Sequence, residues 1–253
     1  MKNSKNAIVL CSGGLDSIVT AYYVNKKLEN NGKWKKYEKI IILFFDYGQR
    51  TLKEERLASR YCAKSLGAKF IEIGLDYNNF KNNLLTNKNL KINQISRKQL
   101  KNTKKESERF YVPLRNTVFL SYAIALAESL FIKNDDKKTA INSKNYDIFV
   151  GFKNEGRESY PDTTKEFVNS FNNLIEVSKL KGKIKIVAPL IKKDKEDIIL
   201  LGERIGVNFK KTYSCYKGIG RKDYIHCGTC LACRLRQEAF YWANLKDPTS
   251  YKK

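Results

Sequence analysis

Apolar residues along this chain fall into two alternating patterns. Short continuous runs, at residues 7–10, 39–45, 68–73, 146–150 and 184–188, have the length and the Ile, Val and Phe content of buried strands. Between them lie amphipathic stretches that read as helices. These cover 16–28 (Ile18, Tyr22 and Leu28 roughly on one side), 54–66 closed by Gly67, 116–131, 164–179, 193–205 capped by Gly206, and 231–245. Strands without polar alternation, separated by such helices, predict a parallel sheet covered on both faces: an α/β, doubly wound architecture of about five strands. Two stretches break the pattern. Residues 76–109 are dense in Asn, Lys and Gln and read as a long, partly mobile excursion, and residues 134–144 read as a polar surface loop.

Composition narrows the class. The chain has 253 residues, 42% of them hydrophobic and 12% aromatic, which excludes disorder as the overall state and suits one large domain with at most a small appendix. No run of about 18 apolar residues exists, so no membrane span is expected. Met1 to Asn6 leads straight into the first strand without the apolar segment of a signal peptide, so a cytoplasmic location is expected. The net charge of +23 invites a nucleic-acid reading, since basic surfaces release counterions from phosphate backbones. Yet 38 of the 49 basic residues are Lys, scattered among many Asn, a composition that AT-rich coding produces without selection for RNA. Nucleic acid is therefore not the expected partner.

The segment Leu10-Cys11-Ser12-Gly13-Gly14-Leu15-Asp16-Ser17 follows a strand and opens a helix. Its glycines permit close backbone approach, the free amides of the helix start favour an anion, and Ser12 and Ser17 can donate to phosphate. Asp16 would repel a bare phosphate, which suggests a magnesium-bound one or a helix cap. The string Ser-Gly-Gly-x-Asp-Ser resembles the pyrophosphate loop of the ATP pyrophosphatases (PP-loop), among them asparagine and GMP synthetases. No Walker sequence is present. That resemblance implies cleavage of ATP between its α- and β-phosphates to adenylate a substrate oxygen.

Cys215, Cys227, Cys230 and Cys233 lie within 19 residues. Four thiolates suit tetrahedral zinc in a closed, structural site; an iron–sulfur cluster takes the same ligands. Cys11 and Cys62 have no evident role. His226, the single histidine, adjoins a candidate ligand and reads as a bystander or a neighbour of the substrate pocket. At the end of the second strand, Arg50 can meet a phosphate or carboxylate, with Glu54 starting the next helix. Arg115 precedes the long helix, with Asn116 as its natural N-cap. Glu155, Glu158 and Asp162 follow the fourth strand, and Lys195 follows the fifth.

Together these pieces resemble the QueC family of 7-cyano-7-deazaguanine synthases. The match runs through Ser12–Ser17, Asp46-Tyr47-Gly48-Gln49-Arg50, Val112-Pro113-Leu114-Arg115-Asn116 and Tyr160-Pro161-Asp162. It continues through Pro189-Leu190 with Lys195, Ser214-Cys215-Tyr216-Lys217-Gly218 and Cys227-Gly228-Thr229-Cys230-Leu231-Ala232-Cys233. The resemblance implies a Rossmann-like, adenine nucleotide alpha-hydrolase-like domain over 1–210 and a small helical zinc-binding region over 211–253. It implies a C–N-forming ligase that adenylates 7-carboxy-7-deazaguanine, admits ammonia to give the amide, and uses a second ATP to reach the nitrile. It assigns ATP with Mg²⁺ to Leu10, Cys11, Ser12, Gly13, Gly14, Leu15, Asp16, Ser17, Asp46, Gln49 and Arg50. It places Asp16, Arg115, Lys195 and Glu54 at the reaction centre and one Zn²⁺ on Cys215, Cys227, Cys230 and Cys233. A homodimer is also implied.

Thr51 stands where family members often have His, residues 151–159 match loosely, and the insert at 76–109 is long. A related enzyme adenylating another carboxylate, such as a peptide or protein terminus, therefore stays open. So does an enzyme of the same superfamily that modifies tRNA. A zinc-ribbon nucleic-acid-binding module fits less well, because the phosphate loop is intact.

Overall fold

The computed structural model describes residues 5–26, 37–77, 79–135, 145–154, 160–218 and 224–252. Five parallel strands, β1 (Lys5–Leu10), β2 (Ile40–Asp46), β3 (Lys69–Gly74), β4 (Asn145–Phe149) and β5 (Ile184–Val187), form one sheet in the order β3-β2-β1-β4-β5. Register pairs Val9 with Ile42 on one side and with Phe149 on the other. The interiors of β1 and β2 are buried at every position, which requires cover on both faces of the sheet; edge strands β3 and β5 are not. α1 (Leu15–Lys26) packs against α2 (Leu52–Ser65) and α6 (Lys195–Arg204), while α4 (Arg115–Asp135) and α5 (Lys165–Ser178) pack against β4 and β5.

The chain proceeds outward from β1 to β3, then returns past β1 to β4 and β5. That reversal leaves a crevice between the carboxyl ends of β1 and β4, where open α/β sheets bind ligands. The phosphate-loop sequence follows β1 and Gly151 follows β4, so both border it.

Several expected boundaries shift. α2 begins at Leu52 rather than 54, α6 at Lys195, and α7 (Leu231–Trp242) stops short of 245. α4 begins at Arg115, so Asn116 is not its cap; its side-chain amide instead donates to the Asp162 carbonyl at 3.2 Å. Residues 27–28, most of the 134–144 loop, and Glu155 with Glu158 lie outside the described residues.

The insert at 76–109 is not a bare excursion. It contains a 3₁₀ turn (Arg97–Lys101) and α3 (Lys104–Glu108), and it buries Tyr77, Leu84, Leu85, Ile92 and Ile95. Local side chains hold it: Asn83 accepts from the Leu85 and Thr86 amides and donates to the Phe80 carbonyl.

Candidate active site and metal centre

The β1–α1 turn is built by close packing. Gly13 has φ +77°, and a Cβ there would meet the Glu55 carbonyl at 2.5 Å and Ala58 Cβ at 2.8 Å. Only glycine lets the loop lie this tightly on α2. The Tyr213 amide donates to the Gly13 carbonyl at 2.8 Å, fastening the loop from the other side. Ser17 Oγ donates to the Gly14 carbonyl at 3.0 Å and lies 3.4 Å from Ser12 Oγ, so two hydroxyls sit side by side at the helix start. From β4, Gly151 approaches so closely that a Cβ would reach the Ser17 amide at 3.0 Å.

This loop opens into a cavity of about 690 Å³. Leu10, Cys11, Ser12, Gly14, Leu15, Asp16 and Ser17 form its floor. Lys195 stands at its rim and pairs with Asp16, Nζ to Oδ2 at 3.0 Å, while the other Asp16 oxygen is buried with no hydrogen-bond partner. A buried carboxylate oxygen beside a phosphate loop suits a divalent cation carried with the nucleotide. Cys11 and Cys62 also meet here. The Cys62 thiol, with smaller help from Gly13 and Ser17, outweighs burial and brings the Cys11 thiol down to about 7.

A second wall comes from β2, α2 and α4. Arg115 Nη1 donates to the Tyr47 hydroxyl at 3.0 Å, and its guanidinium lies over the Tyr47 and Phe119 rings at 5.5 and 5.9 Å. Burial pushes the Tyr47 hydroxyl up to about 12, so it stays protonated. Burial alone would weaken the Arg115 charge, but Tyr47, Asp162 and Glu55 outweigh it. Glu55 accepts from the Thr51 hydroxyl and from Gln49 Nε2, and burial pushes its carboxyl up to about 7. Phe110, Tyr160 and Tyr216 supply an aromatic end, with Phe110 and Tyr216 rings 4.3 Å apart.

Other sequence candidates lie elsewhere. Glu54 is buried and off the cavity wall; its neighbour Glu55 takes that place. Asp46 is ion-paired with Arg56 at 3.0 Å. Arg50 donates to the carbonyls of Asn87, Lys88 and Leu90, clamping the insert instead of facing the cavity. Gln49 does line the cavity. His226 is fully buried away from it: Nε2 accepts from the Ser214 amide at 2.9 Å, and burial, aided by Arg236, brings the ring down to about 4.

The sulfurs of Cys215, Cys227, Cys230 and Cys233 all lie within 4.8 Å of one another, the Cys227–Cys233 pair at 3.8 Å. Ligands about 2.3 Å from a tetrahedral zinc sit about 3.8 Å apart, so the set fits that ion. Amides of Cys227, Thr229, Cys230 and Tyr216 donate to these sulfurs at 3.2–3.5 Å, the arrangement that supports thiolates. The metal centre also shapes the cavity. Cys215 touches it, and α7, which starts right after Cys230, lines it with Leu231, Ala232, Leu235 and Trp242.

The sequence missed Glu55 and the α7 face. Glu55 sits beside Glu54 with nothing in the string to choose between them. The α7 face carries a helical apolar stripe that reads equally as core.

The family model described as "Queuosine biosynthesis protein QueC" matches residues 6–244. The chain is 34% identical to the 7-cyano-7-deazaguanine synthase of Clostridium kluyveri over 98% of both chains. It is 33% identical to that of Methanococcus aeolicus over 97% of this chain and 98% of the relative, and 32% identical to that of Rickettsia bellii over 98% of both. Among solved structures, an NMN synthetase from Francisella tularensis aligns at TM-score 0.36 and 11% identity, covering 96% of this chain and 84% of its own.

Proposed function

The chain belongs to the QueC family, and from that premise we propose that it converts 7-carboxy-7-deazaguanine and ammonia into 7-cyano-7-deazaguanine, consuming ATP. The observation that carries this reading is one cavity with the Ser12–Ser17 loop at its floor and an aromatic end at Phe110, Tyr160 and Tyr216. A triphosphate and a flat heterocycle can therefore meet in it.

In this reading the Gly13 and Gly14 amides and the Ser12 and Ser17 hydroxyls hold the phosphates. Lys195 adds positive charge beside Asp16, whose free oxygen would hold a nucleotide-bound magnesium ion; that ion would supply charge neutralisation for the pyrophosphate. Arg115, fixed by Tyr47, orients the carboxylate toward the α-phosphate. A carboxylate resists nucleophiles, and adenylation turns one of its oxygens into a good leaving group. Ammonia displaces AMP to give the amide. A second adenylation, on the amide oxygen, lets that oxygen leave with AMP as the nitrile forms. Zinc on the four cysteines holds α7 against the cavity and takes no part in the chemistry.

The reading extends to a zinc-bound region over 211–253 serving an ATP-binding region over 1–210, to a homodimer, and to a cytoplasmic location. Among the described residues, no helix is long and apolar enough to cross a membrane. The test is incubation with ATP, magnesium, ammonium and 7-carboxy-7-deazaguanine, following AMP and the nitrile by mass spectrometry. Nitrile is expected, with Lys195→Ala slowed about 100-fold. AMP formed only with a peptide or tRNA as acceptor would sink the reading. Light scattering tests the dimer.

A further inference from the structure

The ammonia step has an unmet requirement. At neutral pH ammonia is mostly ammonium, whose nitrogen has no lone pair, so a group in the cavity that takes its proton greatly raises the share of nitrogen able to attack. Several carboxylates line the cavity, and their surroundings differ. Asp16 is paired with Lys195 at 3.0 Å, and Glu238 with Arg97 at 2.7 Å, so a cation already occupies each. Both Glu55 oxygens are instead engaged by neutral donors, the Thr51 hydroxyl and the Gln49 amide. The cationic group that acts on it, Arg115, is bonded to Tyr47. Glu55 borders the apolar part of the wall made by Phe45, Leu85 and Phe119. It also lies beside the phosphate loop, since its own carbonyl is the atom that packs against Gly13.

Carboxylates in one site with different partners mark out separate roles. Resting on the function proposed above, we propose that Glu55 is the catalytic proton acceptor for ammonia. Its carboxylate takes one proton from bound ammonium, and the freed lone pair attacks the carbonyl carbon of the acyl adenylate. As the C–N bond forms, the C–O bond to AMP breaks with its electron pair. The second proton passes from the new nitrogen to the AMP phosphate, leaving the neutral amide. Burial suits Glu55 to this work, because its carboxyl is pushed up to about 7, near the pH of use. The titratable groups facing it are Arg115 on α4, Tyr47 after β2 and Glu54 on its own helix.

The test compares two nucleophiles. Wild-type and Glu55→Gln chains receive ATP, magnesium and 7-carboxy-7-deazaguanine at neutral pH, with either ammonium or hydroxylamine. Hydroxylamine is uncharged there and needs no proton removed before attack. The expected result is loss of about 100-fold in amide and nitrile formation with ammonium, but hydroxamate formation within about threefold of wild type. Glu55→Asp should recover part of the ammonium rate. Equal loss with both nucleophiles would overturn the proposal, since that marks a residue needed for adenylation or folding, as would an unchanged ammonium rate. A wild-type chain that makes neither nitrile nor hydroxamate would overturn the functional reading itself, and this proposal with it.

Discussion

At neutral pH the Glu55 carboxyl sits near its midpoint, because burial pushes it up to about 7 from an ordinary 4.5. Between those values the folded chain keeps a proton that the unfolded chain has lost. Stability therefore falls as pH rises through that window and stays low above it. Gln at this position keeps the shape and removes the charge. Glu55→Gln should be more stable than wild type by at most about 3 kcal/mol at pH 8, with no gain at pH 4. Urea unfolding at the two pH values measures it; an equal offset at both would mean packing, not charge, sets the difference. The sequence could not single out this residue. Glu54 and Glu55 are chemically identical, and which one faces the cavity depends on how α2 is rotated where it packs, which the string does not display. Arg50 was illegible for another reason: its partners are three backbone carbonyls some 40 positions on, which no side-chain pattern announces.

The zinc region behaves as a clamp on two elements at once. Thr229, between two ligands, accepts from the Ile95 amide at 2.7 Å, and Arg234 on α7 donates to the Ile95 carbonyl at 2.8 Å. The metal loop thus pins the insert as well as α7. Structural zinc contributes on the order of 10 kcal/mol of binding energy to such small regions. Its removal should release both elements and open one side of the cavity. After chelation and return of magnesium, nitrile formation should be lost and the thermal transition lowered, with zinc restoring both; a metal-free chain retaining activity would refute the clamp. Elemental analysis should find about one zinc and no iron. The strands were readable to within a residue or two, and the four cysteines by spacing alone, because continuous apolar runs and clustered thiols are local signals. The insert was not. It buries a cluster at Leu84 and Leu85 and separate residues such as Ile92 and Ile95 without a regular period, and Asn83 replaces secondary structure with side-chain bonds to backbone.

The order β3-β2-β1-β4-β5 decides where everything meets, yet it follows from the handedness of crossovers and the reversal after β3, which a string of residues does not display. That order brings the loop after β1, the Gly151 turn after β4 and Lys195 on α6 to one crevice. It also gives the charge of +23 a test. A surplus of Lys scattered along the chain makes a long-range field, which attracts a polyanion such as ATP before any contact forms. Within the crevice, Lys195 and Arg115 act at contact distance on bound nucleotide, where salt screens weakly. If the surplus charge only steers, kcat/KM for ATP should fall several-fold between about 50 and 200 mM monovalent salt while kcat holds steady. If the surplus is compositional background, both parameters should be flat. A parallel fall in both would place the salt-sensitive charges at the bound phosphates, and would make Lys195 rather than the outer lysines the group to substitute next.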